Sequence, residues 1–240
     1  MTSAGQLFGR DPRHGPLPRL LLILTVVTGL VDAVSILRLG RVFVANMTGN
    51  IVFTGFALVG APGFSLTASL FALVGFMIGA VAGGVLIDHR GHDRALLLSR
   101  GAMSELVAVV AATAVAASAG TTLTSAAADA IAALLAIAMG LQNAVARRLA
   151  VPDLTTTVLT MTLTGLAADL RSRNHEPALL RRLAAVVTML GGGVIGAWLV
   201  LHTSVPVTLG VAAAILLIVT AGIAAARRHP GDWRSPVTNR

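Results

Sequence analysis

An all-α, polytopic transmembrane helical bundle is predicted by three features of this 240-residue chain: its composition, the length of its apolar runs and the placement of its arginines. Hydrophobic residues make up 55% and charged residues only 12%, and the mean hydropathy is +0.84. A soluble domain is about a quarter charged. Halving that share while keeping long apolar stretches points to a chain dissolved in lipid. The formal charge of +8 comes from 18 basic residues, all of them arginine, set in short clusters between apolar stretches. That distribution suits membrane-flanking loops. A nucleic-acid partner would need a continuous solvated basic face, and no such face is encoded. With no Cys in the chain, disulfide and thiolate chemistry are excluded.

Residues 1–17 read as a disordered cytoplasmic lead. The stretch Leu20–Leu37 that follows Arg10, Arg13 and Arg19 outruns the ~7–15-residue core of a secretory signal. It also leads into further apolar segments, so it is read as a retained first helix. Apolar runs lie near 19–37, 42–60, 66–87, 96–118, 126–146, 154–169, 180–201 and 206–226. A span needs about 20 apolar residues, and six of the runs qualify. The second and sixth are rich in Asn, Thr and Gly, and either cross or dip in and return.

Arginine placement decides between these. If all eight runs cross from a cytoplasmic N-terminus, Arg38, Arg41, Arg90, Arg94, Arg100, Arg147 and Arg148 lie outside. If the second and sixth re-enter, only Arg38 and Arg41 do. The positive-inside rule selects the second arrangement. The expectation is therefore six spans plus two short re-entrant or broken helices, with residues 227–240 a basic cytoplasmic tail.

The halves also echo each other. GLVDAV (29–34) returns as GLQNAV (140–145), VANMT (44–48) as VLTMT (158–162), and MIGAVAGG (77–84) as MLGGGVIG (189–196). Chance in a biased composition is the bland alternative. Three matches in one order favour an inverted 3+3 repeat, 18–120 against 121–226. In transporters built this way the site lies near the bilayer midplane, where broken helices meet.

The polar residues follow from that frame. In FVANMTGNIVFT (43–54), Asn46, Asn50 and Thr54 share a helical face, and Thr156, Thr160 and Thr164 repeat the spacing in the partner segment. Unpaired amides in hydrocarbon cost several kcal/mol, so these faces look into protein or water. Thr48 adds a hydroxyl, and Gly49 frees the backbone to break or to approach a ligand. Interhelical glue is the competing use. Asn46-Met47-Thr48 matches a glycosylation sequon, which is useless at membrane depth.

Asp32 lies within the first span, and the repeat places Asn143 at its counterpart. An intramembrane carboxyl is a functional candidate suited to proton coupling. The alternative is an interfacial pair with Arg38 or Arg41. Glu105 is expected to pair with Arg100 at the cytoplasmic interface, with a place facing the bundle interior as the alternative, and Asp129 to complement a helix N-terminus. Asp88, His89, His92 and Asp93 fit no standard metal spacing and read as a solvated turn. Gly75, Gly79 and Gly83 form a close-packing ridge, for packing within the monomer or for a homo-oligomer. No phosphate loop, nucleophile triad or dinucleotide fingerprint is present, so neither an enzyme nor a cofactor is expected.

The run GLVDAVSILRLGRVFVANMTGNIVFTG (29–55) resembles the signature of the YoaK-like family of bacterial inner-membrane proteins, a domain of unknown function. Asp32, Phe43 and Ala45–Asn50 carry the likeness, which extends more loosely over about 18–226. The resemblance implies a multi-pass protein of the bacterial cytoplasmic (inner) membrane, with both termini cytoplasmic, and brings no activity. Two readings remain. One is a proton-linked carrier or channel for an unknown small solute, with its site around Asp32, Asn46, Thr48, Gly49, Asn50, Asn143, Thr160 and Thr164. The other is a non-transporting scaffold or assembly partner whose polar residues only pack helices in the lipid bilayer.

Overall fold

A computed structural model describes residues 14–120, 122–157, 159–169, 176–227 and 231–235. Among these residues the chain forms eight α-helices, one 3-10 turn and no strand. The helices are α1 (Leu17–Arg38), α2 (Met47–Leu58), α3 (Leu66–Arg90), α4 (Arg94–Ser118), α5 (Ser125–Leu149), α6 (Thr160–Asp169), α7 (Glu176–His202) and α8 (Val205–Ala226). Six of them are long and apolar enough to cross a membrane. The two short ones are α2, of 12 residues, and α6, of 10. At 1.5 Å per residue, α2 is about 18 Å long, well under the ~30 Å hydrocarbon core.

Local chemistry sets the ends. Side-chain oxygens of Ser65, Asp93, Thr124 and Ser204 accept amide bonds at the starts of α3, α4, α5 and α8, satisfying donors that have no intrahelical partner. Beyond α1 the chain turns through positive φ at Gly40 (88°) and Arg41 (58°). Beyond α5, three non-glycine residues take that conformation, Ala150 (50°), Asp153 (66°) and Thr156 (65°). The apolar runs near 42–60 and 154–169 are therefore part non-helical and part helical. Residues 39–46 and 150–157 hold non-helical backbone beside the bundle.

Glycine contacts give the helix directions. Gly75, Gly79 and Gly83 lie on Ala133, Ile137 and Leu141 of α5, so α3 runs parallel to α5. Gly192 and Gly196 lie on Val26 and Leu30, so α7 runs parallel to α1. Glu105 faces Gln142 and Gly101 faces Val145, making α4 and α5 antiparallel. Gly40, just past α1, lies against Ser65 at the start of α3, and Asp153, just past α5, binds Arg181 and Arg182 near the start of α7. So α1 ends at the same end of the bundle where α3 begins, and α5 ends where α7 begins. Neither α2 nor α6 crosses, and the second half traces the first upside down.

The two seams are equivalent. A Cβ on Gly79 would strike the Ile137 carbonyl, and one on Gly192 would strike the Val26 carbonyl. In the other direction, Gly140 faces Phe76 and Gly29 faces Met189. The Gly75–Gly79–Gly83 ridge is thus buried within the chain. Lipid offers no hydrophobic drive between helices, so such backbone contact supplies the attraction through packing. The outer faces are apolar and open, as at Val81, Val107, Leu190 and Ile218.

One end of the bundle carries Arg90, Arg94, Arg147, Arg148, Arg181 and Arg182. The other carries Arg38 and Arg41. At the arginine-rich end the 3-10 turn Asp232–Arg234 folds onto the start of α4. Arg234 pairs with Asp93, Trp233 is buried against Gly15, and Arg94 donates to the Trp233 and Leu149 carbonyls.

Candidate functional site

Each half begins with a helix that reaches from its polar position to the unwound stretch after it. In the first half, Asp32 of α1 is buried and its Oδ1 accepts the Val44 N–H at 3.4 Å. In the second, Asn143 of α5 accepts the Thr157 hydroxyl at 2.5 Å. The expected alternative for Asp32, an ion pair with Arg38 or Arg41, is not formed. Arg38 instead donates to the Val200 carbonyl at 3.3 Å, and the Arg41 guanidinium packs over Gly63.

The two tethers differ in what they leave over. Asn143 Nδ2 is buried and has no acceptor among the described residues. The residue stands in the wall of a cavity of about 890 Å³, together with Phe76 and Ala80 of α3, Arg147 and Arg148 of α5, and Thr155 of the unwound stretch. A second cavity, of about 820 Å³, opens at the other end of the bundle beside Arg38, Arg41 and Thr203.

The α2 segment uses its polarity internally. Asn50 is fully buried. Its Oδ1 accepts the Phe43 N–H at 2.8 Å and its Nδ2 donates to the Phe43 carbonyl at 2.5 Å. Thr54 donates back to the Asn50 carbonyl. The Phe43 ring covers Gly49 and stacks on Phe53, with centroids 5.8 Å apart. Asn46 is half-buried and Thr48 exposed, because the helix starts only at Met47. In the partner segment Thr160 and Thr164 are exposed on α6, and Thr164 donates to the Thr160 carbonyl. Thr156, expected on the same face, precedes the helix and is buried. The eight sequence-derived residues therefore do not gather into one pocket. Asp32 and Asn143 occupy equivalent tethers, Asn50 closes a loop, and Thr160 and Thr164 face outward.

A second polar cluster lies between α1, α4 and α5. Glu105 is only 1% exposed at the middle of α4. It faces Gln142 rather than Arg100, correcting the pairing expected from sequence. One end of the Gln142 amide lies 2.7 and 3.1 Å from the two Glu105 oxygens. Its other end lies 2.9 Å from Thr156 Oγ1 and 3.1 Å from Thr28 Oγ1. All four side chains are buried. A carboxyl in mid-span was visible in the sequence, but its partners come from three separate segments and share no local spacing. Nearby, Arg182 and Arg181 bind Asp153 at 2.7 and 3.7 Å, pinning the unwound stretch to α7.

A family model described as "Protein of unknown function (DUF1275)" matches residues 20–222. The UPF0700 transmembrane protein YoaK of Bacillus subtilis (strain 168) is 32% identical over 155 residues, covering 64% of this chain and 67% of that protein. No solved structure matches.

Proposed function

Because the chain belongs to the DUF1275 family, whose description leaves its activity open, we propose one from the geometry: a proton-linked carrier or channel for a small solute. The solute lies beside Asn143 in the cavity between α3, α5 and residues 150–155. The observation that carries this reading is the unpartnered Asn143 Nδ2 at the cavity wall. A buried donor left unpaired costs about 1–3 kcal/mol, and native folds keep such groups where something else satisfies them. A small solute presenting an acceptor would do so, with Arg147 and Arg148 at the mouth favouring an electronegative group. Asp32, at the equivalent tether, supplies a buried carboxyl for proton linkage. The reading takes the arginine-rich end as cytoplasmic, in keeping with the positive-inside rule, in a bacterial inner membrane with both termini on the cytoplasmic side. The reading assigns no catalysis.

A second reading, a scaffold without transport, is favoured by Asn50, whose amide is wholly engaged in closing its own loop. Access of water separates the two. The chain has no native Cys, so Asn143→Cys and Ala80→Cys report cleanly on facing walls of the cavity. Both should react with an impermeant maleimide in inverted vesicles and stay dark in intact cells. Silence at both positions, while exposed Ala150→Cys reacts, would overturn the carrier and favour the scaffold.

A further inference from the structure

We propose that Glu105, Gln142, Thr28 and Thr156 form a proton-binding site. In it, the protonation of Glu105 sets the orientation of the Gln142 amide, and through Thr156 the state of the unwound stretch after α5. This deepens the proton linkage of the reading above and rests on it for its purpose, while its chemistry stands on the cluster alone.

The two ends of a glutamine amide are alike in shape and opposite in hydrogen bonding. With Glu105 ionised, Gln142 Nε2 must face it, donating to both carboxylate oxygens. Gln142 Oε1 then accepts from the Thr28 and Thr156 hydroxyls. With a proton on Glu105, its O–H donates to Gln142 Oε1 instead. The amide is turned over, and Nε2 donates to Thr28 Oγ1 at 3.1 Å. The threonine hydroxyls are then free to donate elsewhere, and acceptors are in place for both. Thr28 Oγ1 lies 3.1 Å from the Leu24 carbonyl, and Thr156 Oγ1 lies 2.7 Å from the Thr155 carbonyl. Both arrangements satisfy these side chains, and they differ by one proton and one amide rotation. No covalent bond other than the O–H on Glu105 forms or breaks.

The output end is a strained segment. Thr156 is β-branched and holds φ at 65°, a conformation such residues avoid, and Asp153 and Ala150 share it. Strain of this kind persists only when neighbours hold it. Gln142 is one of those neighbours: its Oε1 accepts from Thr156 when Glu105 is ionised, and that acceptor is withdrawn when the proton arrives, leaving the Thr156 hydroxyl to the Thr155 carbonyl. Among the described residues no second ionisable group competes at the carboxyl, Asp153 of the unwound stretch being held by Arg181 and Arg182. A hollow of about 10 Å³ beside it is walled by Leu21, Leu24, Leu98, Gly101, Ala102, Val145 and Ala146. The ionisable residues of the packed helices stand elsewhere along them: Arg19, Asp32 and Arg38 on α1, Asp88, His89 and Arg90 on α3, Asp129, Arg147 and Arg148 on α5, and Arg94 and Arg100 on α4 itself. Arg234 sits on the 3-10 turn and α8 has none.

The test uses the full chain in lipid nanodiscs. Infrared spectroscopy across the pH range in which the fold persists should show a protonated-carboxyl band that disappears in the near-isosteric Glu105→Gln. In parallel, buried Leu154→Cys reports opening of the unwound stretch, with exposed Ala150→Cys as reference for thiol ionisation. The ratio of their maleimide rates should change at least about fivefold with pH, the lower end of ordinary site-to-site coupling. That change should vanish in Glu105→Gln. In Thr156→Val it should vanish while the infrared band remains, separating the relay from the proton site. A ratio that stays flat with pH, or a pH response that survives Glu105→Gln, would overturn the proposal. Neither readout involves solute, so failure here is distinct from a dry cavity at Asn143.

Discussion

At the scale of single residues, the tightest constraints fall on glycines. Gly140 meets the Phe76 carbonyl and the Ala80 amide, which are backbone atoms that cannot rotate aside, whereas Gly191 meets nothing within 4 Å. Gly140→Ala should lower stability by about 1–3 kcal/mol through overpacking, measured by thermal unfolding in detergent. Gly191→Ala should be neutral or gain up to about 1 kcal/mol from helix propensity. An equal effect at both positions would show that the close contact at the seam does not set the cost at Gly140. The ridge at Gly75, Gly79 and Gly83 was legible in the sequence because its spacing is local. Its partner was legible only indirectly, in the recurrence of GLVDAV as GLQNAV, whose first residues are the two seam glycines Gly29 and Gly140. Glu105 and Gln142 could not be paired in advance, since nothing in either segment encodes the antiparallel register of α4 and α5.

At the scale of elements, the start of α4 joins a helix cap to the C-terminal turn. Asp93 caps Ala95 and Leu96 at 2.9 and 3.0 Å while pairing with Arg234. Burial pushes its carboxyl upward, but the Arg234 hydrogen bond, the Leu96 amide, the Arg234 charge and the Ala95 amide outweigh that and hold it below the ordinary carboxylate range. A carboxyl depressed by folding adds stability above its unfolded value, and that stability is lost as pH falls through the folded value. Acidification should therefore loosen the turn and red-shift Trp233 emission, read in a Trp198→Phe background. Asp93→Asn keeps a good cap but lacks the pair, so its turn should be looser at neutral pH and the acid step absent. The pair is partly exposed, so its removal should cost the whole fold little. A step persisting in Asp93→Asn would assign it to another group. The six long helices were legible from apolar length alone. The short ones were legible as interruptions, but their phase was not: Met47 and Thr160 begin helices only after non-helical stretches, so the faces drawn from four-residue spacing ran through Asn46 and Thr156, which are not helical.

At the scale of the whole molecule, the inverted trace and the arginine asymmetry make one joint statement about orientation. His92 and Thr122 are both exposed, in turns at opposite ends of the bundle. His92→Cys should label with an impermeant maleimide only in inverted vesicles, and Thr122→Cys only in intact cells. The reverse pattern is what eight crossings would give, and it would contradict the trace.

The parallel pairing of α1 with α7 and of α3 with α5 bears on how the protein is made. Helices are synthesised in order, and each half of the chain lacks the surface that its own glycines fit. The backbone groove around Gly29 stays open until α7 emerges, more than half the chain later, while the α3 ridge is closed sooner, by α5. A ribosome stalled after the first half would leave both grooves facing lipid, available to whatever helix drifts past. Two copies of a half inserted in opposite senses could close each other's grooves. Covalent linkage of the two halves in one chain supplies that closure without a second copy.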